Sequence, residues 1–375
     1  MTQWTMPMLN PAHLIFEDGV NFSGCSFGAS NWSSGEVVFN TSMTGYQEML
    51  TDPSYAGQII VATYPLMGNY GINDIDFESQ KIQVAGLIVK EHCLEPSGTN
   101  SSSTLHEFLS SQNIPAVSGV DTRAITRHLR NNGVMMGCIS QDLLTENSMS
   151  KTKSLYSYGD INYVSQVSTS KSYSWPHMKN VPDKDYSKTR ILVSDYGLKY
   201  NILRILKSKG CEVIAVPADI SAAKLLEYEP DGVILSPGPG DPQILSLQVE
   251  TAKSIIGKVP ILGICLGNQI LARAFGGKTF KLKFGHRGAN HPVRDIESGA
   301  VHITAQNHGY AIDPDTLPTD VEISHINLND FTVEGIRHKS LPVIGIQYHS
   351  EASPGPRDNE YIFNQFIEMV EVSKP

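Results

Sequence analysis

The chain has 375 residues, a net charge of −9, and a composition that is 40% hydrophobic and 18% charged. One core seldom grows beyond about 250–300 residues, so this length predicts two domains, and the composition excludes disordered and fibrous chains. The acidic balance, without any block rich in Lys or Arg, excludes a nucleic-acid binder.

Short β-type segments predict a mixed α and β domain with a large sheet in residues 1–145. Runs such as EVVFN, GQIIVATY and VAGLIVKEH alternate with turns rich in Gly, Pro, Asn and Asp. Two helices are predicted between them. Ser103–Gln112 carries apolar residues at helical spacing, and Asp121–Arg130 begins with an aspartate suited to cap a helix.

Residues 146–189 are predicted to connect two domains. The segment is rich in Ser, Tyr, Lys, Thr and Asn and shows no sustained hydrophobic period. Its tyrosines and Trp175 indicate that it packs on a surface.

Residues 190–375 alternate between strand and helix patterns, which predicts an α/β domain with a mostly parallel sheet and helices on both faces. Buried-strand patterns such as RILVSDYG, EVIAVP, GVILS and VPILGI are separated by helical segments. Parallel neighbours need such crossover connections. Ligands of these sheets bind at the carboxyl ends of the strands.

One sharp turn in this domain carries a cysteine. VPILGI runs into Gly263-Ile264-Cys265-Leu266-Gly267, and a helix follows at once. A nucleophile between close glycines at a strand-to-helix turn is typical of a strained elbow that exposes a reactive atom. The helix N-terminus also favours the thiolate over the thiol. A buried cysteine packed beside tight-turn glycines is the structural alternative.

A base and its orienting partner follow near the C-terminus. Val343–Tyr348 is predicted as a buried strand, and His349 and Glu351 come directly after it. Side chains two apart in an extended segment point to one side, so the carboxylate can fix the imidazole. By itself His-x-Glu is weak evidence, but with the elbow it completes a triad in the order Cys, His, Glu.

A rigid loop follows GVILS. Its sequence is Pro237-Gly238-Pro239-Gly240-Asp241-Pro242, which prevents helix or strand and lets backbone amides approach a ligand. The Gly238 amide can join that of Leu266 as an oxyanion hole. An ordinary rigid turn is the alternative.

These segments resemble the class I glutamine amidotransferases. SPGPGDP, GICLGNQILA, AQNHGYAID and QYHSEASPGP occur in this order in the second half of the chain. The resemblance implies a flavodoxin-like second domain with Cys265 as nucleophile, His349 as general acid and base, and Glu351 as its orienter. It also implies a set of L-glutamine contacts: Ser54, Gly238, Gly240, Leu266, Gln269, Asn307, Gly309 and Tyr310.

The first half resembles the N-terminal domain of carbamoyl phosphate synthetase small subunits. The resemblance rests on GEVVFNTSMTGYQEMLTDPSYAGQI, TYPLMGNYGIN and GVDTRAITRHLR. It implies a swivelling β/β/α-like domain that binds a large subunit, as a heterodimer or a higher assembly of heterodimers. The large subunit is expected to hold ATP and its metal ions and to make carbamoyl phosphate for arginine and pyrimidine biosynthesis. No cofactor is expected in this chain, since it has no phosphate-cradling loop.

The sequence also predicts a cytoplasmic protein without a membrane segment. Residues 1–12 lack the features of a signal peptide, and no apolar stretch is long enough to span a bilayer. Five scattered cysteines without a C-x-x-C pair indicate reduced thiols. His286 and His291 belong to no metal-binding motif, so loop or core positions are favoured over metal ligation.

Two other functions remain open from the sequence. One is a scaffold of the same fold that has lost catalysis, although such a relative typically lacks the cysteine or the histidine. The other is the glutaminase of a different biosynthetic synthetase, against which FNTSMTGYQEMLTDPSY argues.

Overall fold

The computed structural model describes residues 10–141, 156–175 and 189–374. The described residues form two compact units. The first unit contains the described residues up to Tyr158, except for Asp52–Ser54. These three residues belong by their contacts to the second unit, which otherwise contains the described residues from Gly159 onward. The predicted two-domain organisation is confirmed.

The sheet of the first unit closes on itself as a barrel, with the order β1-β2-β8-β6-β4-β3-β9. Both faces of its central strands are covered, because all side chains of VVF in β3 and IIV in β4 are buried and successive side chains point to opposite faces. A two-stranded sheet of β5 and β7 lies outside the barrel order. The strands are β1 (Pro11–Phe16), β2 (Asn21–Gly28), β3 (Ser33–Asn40), β4 (Gln58–Ala62), β5 (Leu66–Met67), β6 (Gly86–Ile88), β7 (Glu91–His92), β8 (Pro115–Ser118) and β9 (Met135–Ser140).

Both helices predicted in the first half are present. They are α2 (Leu105–Ser111), capped by Thr104 in a capping box, and α3 (Thr122–Asn132), whose first turn is capped by Asp121. A short helix that the sequence did not predict, α1 (Tyr46–Thr51), leads directly into Asp52–Ser54. The swivelling β/β/α arrangement stays a prediction.

The second unit is built on a ten-stranded sheet with the order β10-β12-β11-β13-β14-β19-β18-β17-β15-β16. Its strands are β10 (Tyr173–Ser174), β11 (Arg190–Asp195), β12 (Glu212–Pro217), β13 (Gly232–Leu235), β14 (Ile261–Ile264), β15 (Lys278–Asp295), β16 (Val301–Asp313), β17 (Val321–Asn327), β18 (Val333–His338) and β19 (Val343–Ile346).

The strands that follow one another in the sheet as β12-β11-β13-β14-β19 pair in parallel. All other neighbouring strands of the sheet are antiparallel. The prediction of a mostly parallel sheet is therefore wrong for the segment from β15 to β18. Strands joined by tight turns pair as antiparallel neighbours without a helical crossover, and the sequence analysis did not recognise these turns.

Helices cover both faces of the sheet, as predicted, because successive side chains of its central strands point to opposite sides. In β11, Leu192 lies in one apolar cluster, whereas Ile191 and Val193 lie in the other. The helices of this unit are α4 (Val164–Val167), α5 (Tyr200–Ser208), α6 (Ala222–Leu226), α7 (Ser246–Ile255), α8 (Leu266–Ala274) and α9 (Tyr361–Ser373).

Part of the predicted connector belongs to the second unit. β10 pairs with β12, and Val164 in α4 is buried in the core of this unit. Residues 142–155 and 176–188, where most of the remaining connector was predicted, lie outside the described residues.

Within the described residues, no helix is both long enough and apolar enough to cross a bilayer.

Candidate active site

Cys265 lies at the turn between β14 and α8 in a backbone conformation that side chains rarely adopt. Its φ is 53° and its ψ is −105°. A Cβ added to Gly267 would lie 2.0 Å from the carbonyl oxygen of Leu235, and one added to Gly263 would lie 2.7 Å from the Gly267 backbone. The turn therefore requires both glycines, since only a bare backbone lets α8 start this close to β13.

The Cys265 thiol has two polar neighbours but otherwise belongs to a buried apolar cluster. Its Sγ lies 3.7 Å from the Asn307 carbonyl oxygen and 3.7 Å from the Gln347 Nε2, which donates to it. Only 1% of the residue is exposed, although the sequence predicts a reactive atom open to solvent. The sulfur nevertheless sits at the N-terminus of α8, where unpaired amides favour a thiolate.

His349 and Glu351 form the close pair that the sequence predicts, but through a turn. β19 ends at Ile346, and the Ala352 amide donates to the His349 carbonyl oxygen at 3.1 Å. His349 Nδ1 lies 2.6 Å from Glu351 Oε1, and both side chains are buried. Nδ1 is held by the carboxylate, and the other ring nitrogen, Nε2, is buried without a hydrogen-bond partner among the described residues. The Cys265 side chain contributes to raising the pKa of this imidazole, because β14 and β19 end side by side.

Lys199 is a fourth charged member that the sequence analysis missed. It follows β11 and starts α5, and its Nζ lies 3.1 Å from Glu351 Oε1. The same Nζ donates to the Ala352 carbonyl oxygen at 2.6 Å. Both partners of this ion pair are buried, with side-chain exposures of 2% and 0%.

The buried charges stabilise one another and set the protonation of the site. Burial, and then the Lys199 charge, lower the pKa of His349, but the Glu351 carboxylate and the Cys265 side chain together raise it to about 10. Burial raises the pKa of Glu351, and Lys199 and then His349 lower it to about 2. At neutral pH the resting site therefore holds an imidazolium at the strand end next to Cys265.

We expect Lys199→Met to destabilise the second unit in a pH-dependent way. Breaking a buried pair costs about 3 kcal/mol at pH 7 when another cation, here His349, remains beside the carboxylate. The folded pKa of Glu351 is depressed, so the stability it contributes is full above its unfolded pKa of 4.5 and is lost as the pH falls toward 2. The difference in free energy of unfolding between wild type and variant should stay constant from pH 7 to about pH 5 and shrink as the pH falls from about 4.5 toward 2.

Denaturant unfolding at several pH values measures this difference, and Lys224→Met, at an exposed position of α6, is the matched control. A loss that stays the same from about pH 5 to about pH 3 would mean that Lys199 acts by packing alone.

The structure brings most of the other predicted site residues to the same edge of the sheet. A Cβ on Gly238 would lie 2.7 Å from Leu266 Cδ2, so the Pro/Gly loop packs against the elbow. Gln269 Nε2 donates to the Tyr310 carbonyl oxygen at 2.8 Å. Gly240 has a φ of 94°, which glycine favours, and Gly309 lies next to Arg287.

Ser54 and Asn307 are linked through a residue that the sequence did not single out. Asp52 accepts hydrogen bonds from the Ser54 amide and from Asn307 Nδ2, each at 2.9 Å. Ser54 is 5% exposed, and its hydroxyl has no hydrogen-bond partner among the described residues.

A second polar cluster, formed by His286, His308 and Glu334, has donor atoms within 4.8 Å of one another. His286 Nε2 lies 2.8 Å from Asp330. Burial lowers the pKa of His286, and hydrogen bonds to Asp330 and Glu334 raise it to about 9. His286 thus pairs with Asp330 and Glu334, whereas burial lowers the pKa of His308 well below its ordinary value.

Comparison with known proteins matches two family models to this chain. Residues 192–369 match the model of class-I glutamine amidotransferase, and residues 14–139 match the model of the carbamoyl-phosphate synthase small chain, CPSase domain.

Curated relatives match the chain over almost its full length. A carbamoyl phosphate synthase small chain from Akkermansia muciniphila is 49% identical over 368 residues, which cover 97% of this chain and 98% of that relative. Small chains from Staphylococcus saprophyticus and Aquifex aeolicus are 48% and 46% identical, cover 97% of this chain, and are themselves covered to 97% and 100%.

Proposed function

The chain belongs to the carbamoyl phosphate synthase small chain family, and from this premise we propose that its second unit hydrolyses L-glutamine to glutamate and ammonia. A large subunit then combines the ammonia with bicarbonate and ATP to make carbamoyl phosphate. One observation carries the catalytic part: His349, whose Nδ1 lies 2.6 Å from Glu351, follows the strand end that adjoins a cysteine at a strained elbow.

In the first half-reaction the Cys265 thiolate adds to the side-chain amide carbon of glutamine. Its electron pair forms the S–C bond, and the carbonyl oxygen becomes an oxyanion. The C–N bond then breaks, and the amide nitrogen takes a proton from His349 and leaves as ammonia. A glutamyl thioester on Cys265 is left behind.

In the second half-reaction the neutral His349 accepts a proton from water, and the hydroxide adds to the thioester carbon. The C–S bond breaks, which frees glutamate and restores the thiolate beside the imidazolium. Glu351 keeps the ring in one orientation and stabilises its charged form throughout.

The oxyanion is held by the backbone amides of Leu266 and Gly238. The Leu266 amide is at the first position of α8, where no carbonyl of the helix can accept it. Gly238 packs against Leu266, so both amides belong to adjoining segments. Such preorganised donors typically contribute about 3 kcal/mol each to the transition state.

Glutamine itself is held by the remaining predicted contacts: Ser54, Gly240, Gln269, Asn307, Gly309 and Tyr310. A substrate with a carboxylate, an ammonium and an amide requires hydroxyl, amide and carbonyl partners, and these residues offer them. We place ATP and its metal ions on the large subunit, with the two subunits as a heterodimer or an assembly of heterodimers serving arginine and pyrimidine synthesis.

We assign residues 1–145 to large-subunit binding, residues 146–189 to a connector and residues 190–375 to the glutaminase. A cytoplasmic location is supported by the five cysteines, none of which forms a disulfide.

The competing assignment, a scaffold without catalysis, is disfavoured by the site itself. A scaffold has no need for a buried Lys, Glu and His arranged behind a strained cysteine, since buried charges are costly unless paired.

Reconstitution with the family's large subunit tests the proposal. Glutamine, ATP and bicarbonate should yield carbamoyl phosphate with glutamate in equal amounts, and free ammonium should replace glutamine. Carbamoyl phosphate made only from ammonium, with no glutamate released from glutamine, would favour the scaffold.

A further inference from the structure

We propose that Asp52 is a positioning residue that holds Ser54 and Asn307 in place for glutamine and thereby sets the affinity for this substrate. The inference rests on the proposed function, because Ser54 and Asn307 are two of the proposed glutamine contacts.

The two oxygens of Asp52 serve two separate segments. Oδ1 accepts a hydrogen bond from the Ser54 backbone amide at 2.9 Å. Oδ2 accepts one from Asn307 Nδ2 at 2.9 Å, although Asp52 and Asn307 are 255 positions apart in the sequence. Asp52 is 3% exposed. A buried carboxylate with both oxygens engaged fixes its partners more firmly than an exposed one, because water does not compete.

The contact to Ser54 leaves its hydroxyl available for a ligand. The Asp52 side chain closes a turn onto the amide two residues on, which fixes the Ser54 backbone. The Ser54 hydroxyl is buried and has no hydrogen-bond partner in the described ranges. A buried hydroxyl without a partner is energetically costly, and a polar substrate group removes that cost.

The contact to Asn307 connects Asp52 with the nucleophile. The Asn307 side chain is held by Asp52, and its backbone carbonyl oxygen lies 3.7 Å from Cys265 Sγ. Asn307 lies in β16 directly opposite Arg287 of β15. Asp52 therefore aligns a serine hydroxyl and the strand beside the reactive sulfur in a single arrangement.

Both ends of the residue 52 side chain must accept a hydrogen bond, one from the Ser54 amide and one from Asn307 Nδ2. In Asp52→Asn, one end of the side chain becomes an NH2 group, which would face either the Ser54 amide or Asn307 Nδ2 with a second donor. Asn307 keeps a hydrogen bond to it only by turning its own amide over, which reverses the donor and acceptor that it offers to glutamine. The shape is kept, so the variant should fold while one of its two contacts is lost.

The test is steady-state kinetics of the complex reconstituted with the large subunit. Asp52→Asn should raise the KM for glutamine by about 10- to 100-fold, as expected for one charge-assisted hydrogen bond, and change kcat by no more than a few-fold. Synthesis from free ammonium should be unchanged. The double variant Asp52→Asn with Asn307→Asp exchanges donor and acceptor, and should lower the KM relative to Asp52→Asn.

Asp231→Asn is the matched control. Its carboxylate also accepts a backbone amide, that of Arg190 at 2.6 Å, but it precedes β13 at the opposite end of the strands. This change should leave the KM for glutamine at the wild-type value.

A KM for glutamine in Asp52→Asn within about twofold of wild type would overturn the positioning role. So would an equal loss of glutamine- and ammonium-dependent synthesis, which indicates general damage to the fold. If wild type itself releases no glutamate, the proposed function fails, and this outcome is distinct from both.

Discussion

Cys265→Ser is expected to lower glutamine-dependent carbamoyl phosphate synthesis by at least about a thousand-fold and to leave ammonium-dependent synthesis near the wild-type rate. A serine hydroxyl keeps the volume of the thiol, but its pKa is far too high for ionisation beside His349. The large subunit still receives ammonia from solution. The two activities, measured on one reconstituted preparation, separate loss of the nucleophile from loss of assembly.

Cys25→Ser is the control, because this thiol lies in β2 of the barrel and is only partly buried. It should retain both activities. Glutamate release by Cys265→Ser at the wild-type rate would exclude Cys265 as the nucleophile.

Gly267→Ala is expected to lower glutaminase kcat by about 100-fold and to destabilise the second unit by about 1–3 kcal/mol. The added Cβ would lie 2.0 Å from the Leu235 carbonyl oxygen, a backbone atom of β13 that cannot rotate away. The start of α8 must move, and both Cys265 and the Leu266 amide move with it. Kinetics and denaturant unfolding measure the two effects.

Gly276→Ala separates steric conflict from backbone strain. Gly276 follows the other end of α8, has a φ of 96° and would have nothing within 4 Å of an added Cβ. Its substitution should cost about 1 kcal/mol of stability and leave kcat unchanged. An unchanged kcat in Gly267→Ala would show that the elbow tolerates a shift of the helix.

The parts of this fold that could be predicted are those whose sequence pattern is complete within a short segment. Buried strand segments and helical spacing predict α2, α3 and the parallel strands, because each period is visible within a few residues. The elbow around Cys265 and the His349-x-Glu351 segment are local in the same sense. The structure places them in contact because the carboxyl ends of β14 and β19 are neighbours.

Other parts depend on contacts that no short segment reveals. Lys199 looks like the first residue of an ordinary surface helix, and its burial follows only from the packing of the Glu351 turn over it. In the sequence Asp52 is indistinguishable from an ordinary polar turn residue, and only its contact with the distant Asn307 reveals its role. Gln347 reads as part of a buried strand, yet its amide contacts Cys265.

The burial of the thiol could not be predicted for the same reason. An elbow at a strand end predicts exposure, but the Asn307 carbonyl and the Gln347 amide cover Cys265 from other strands. The weak signals that could have indicated these residues are their positions at strand ends that meet at one edge of the sheet.

The central claim is that the Cys265 thiolate forms a covalent bond with glutamine, and trapping the intermediate tests it most directly. Radiolabelled glutamine is mixed with the reconstituted complex, the reaction is quenched in acid, and the labelled peptide is identified by mass spectrometry. One glutamyl group on the peptide that contains Cys265, lost on treatment with hydroxylamine, is the predicted result. Steady release of glutamate with label on another residue would contradict it.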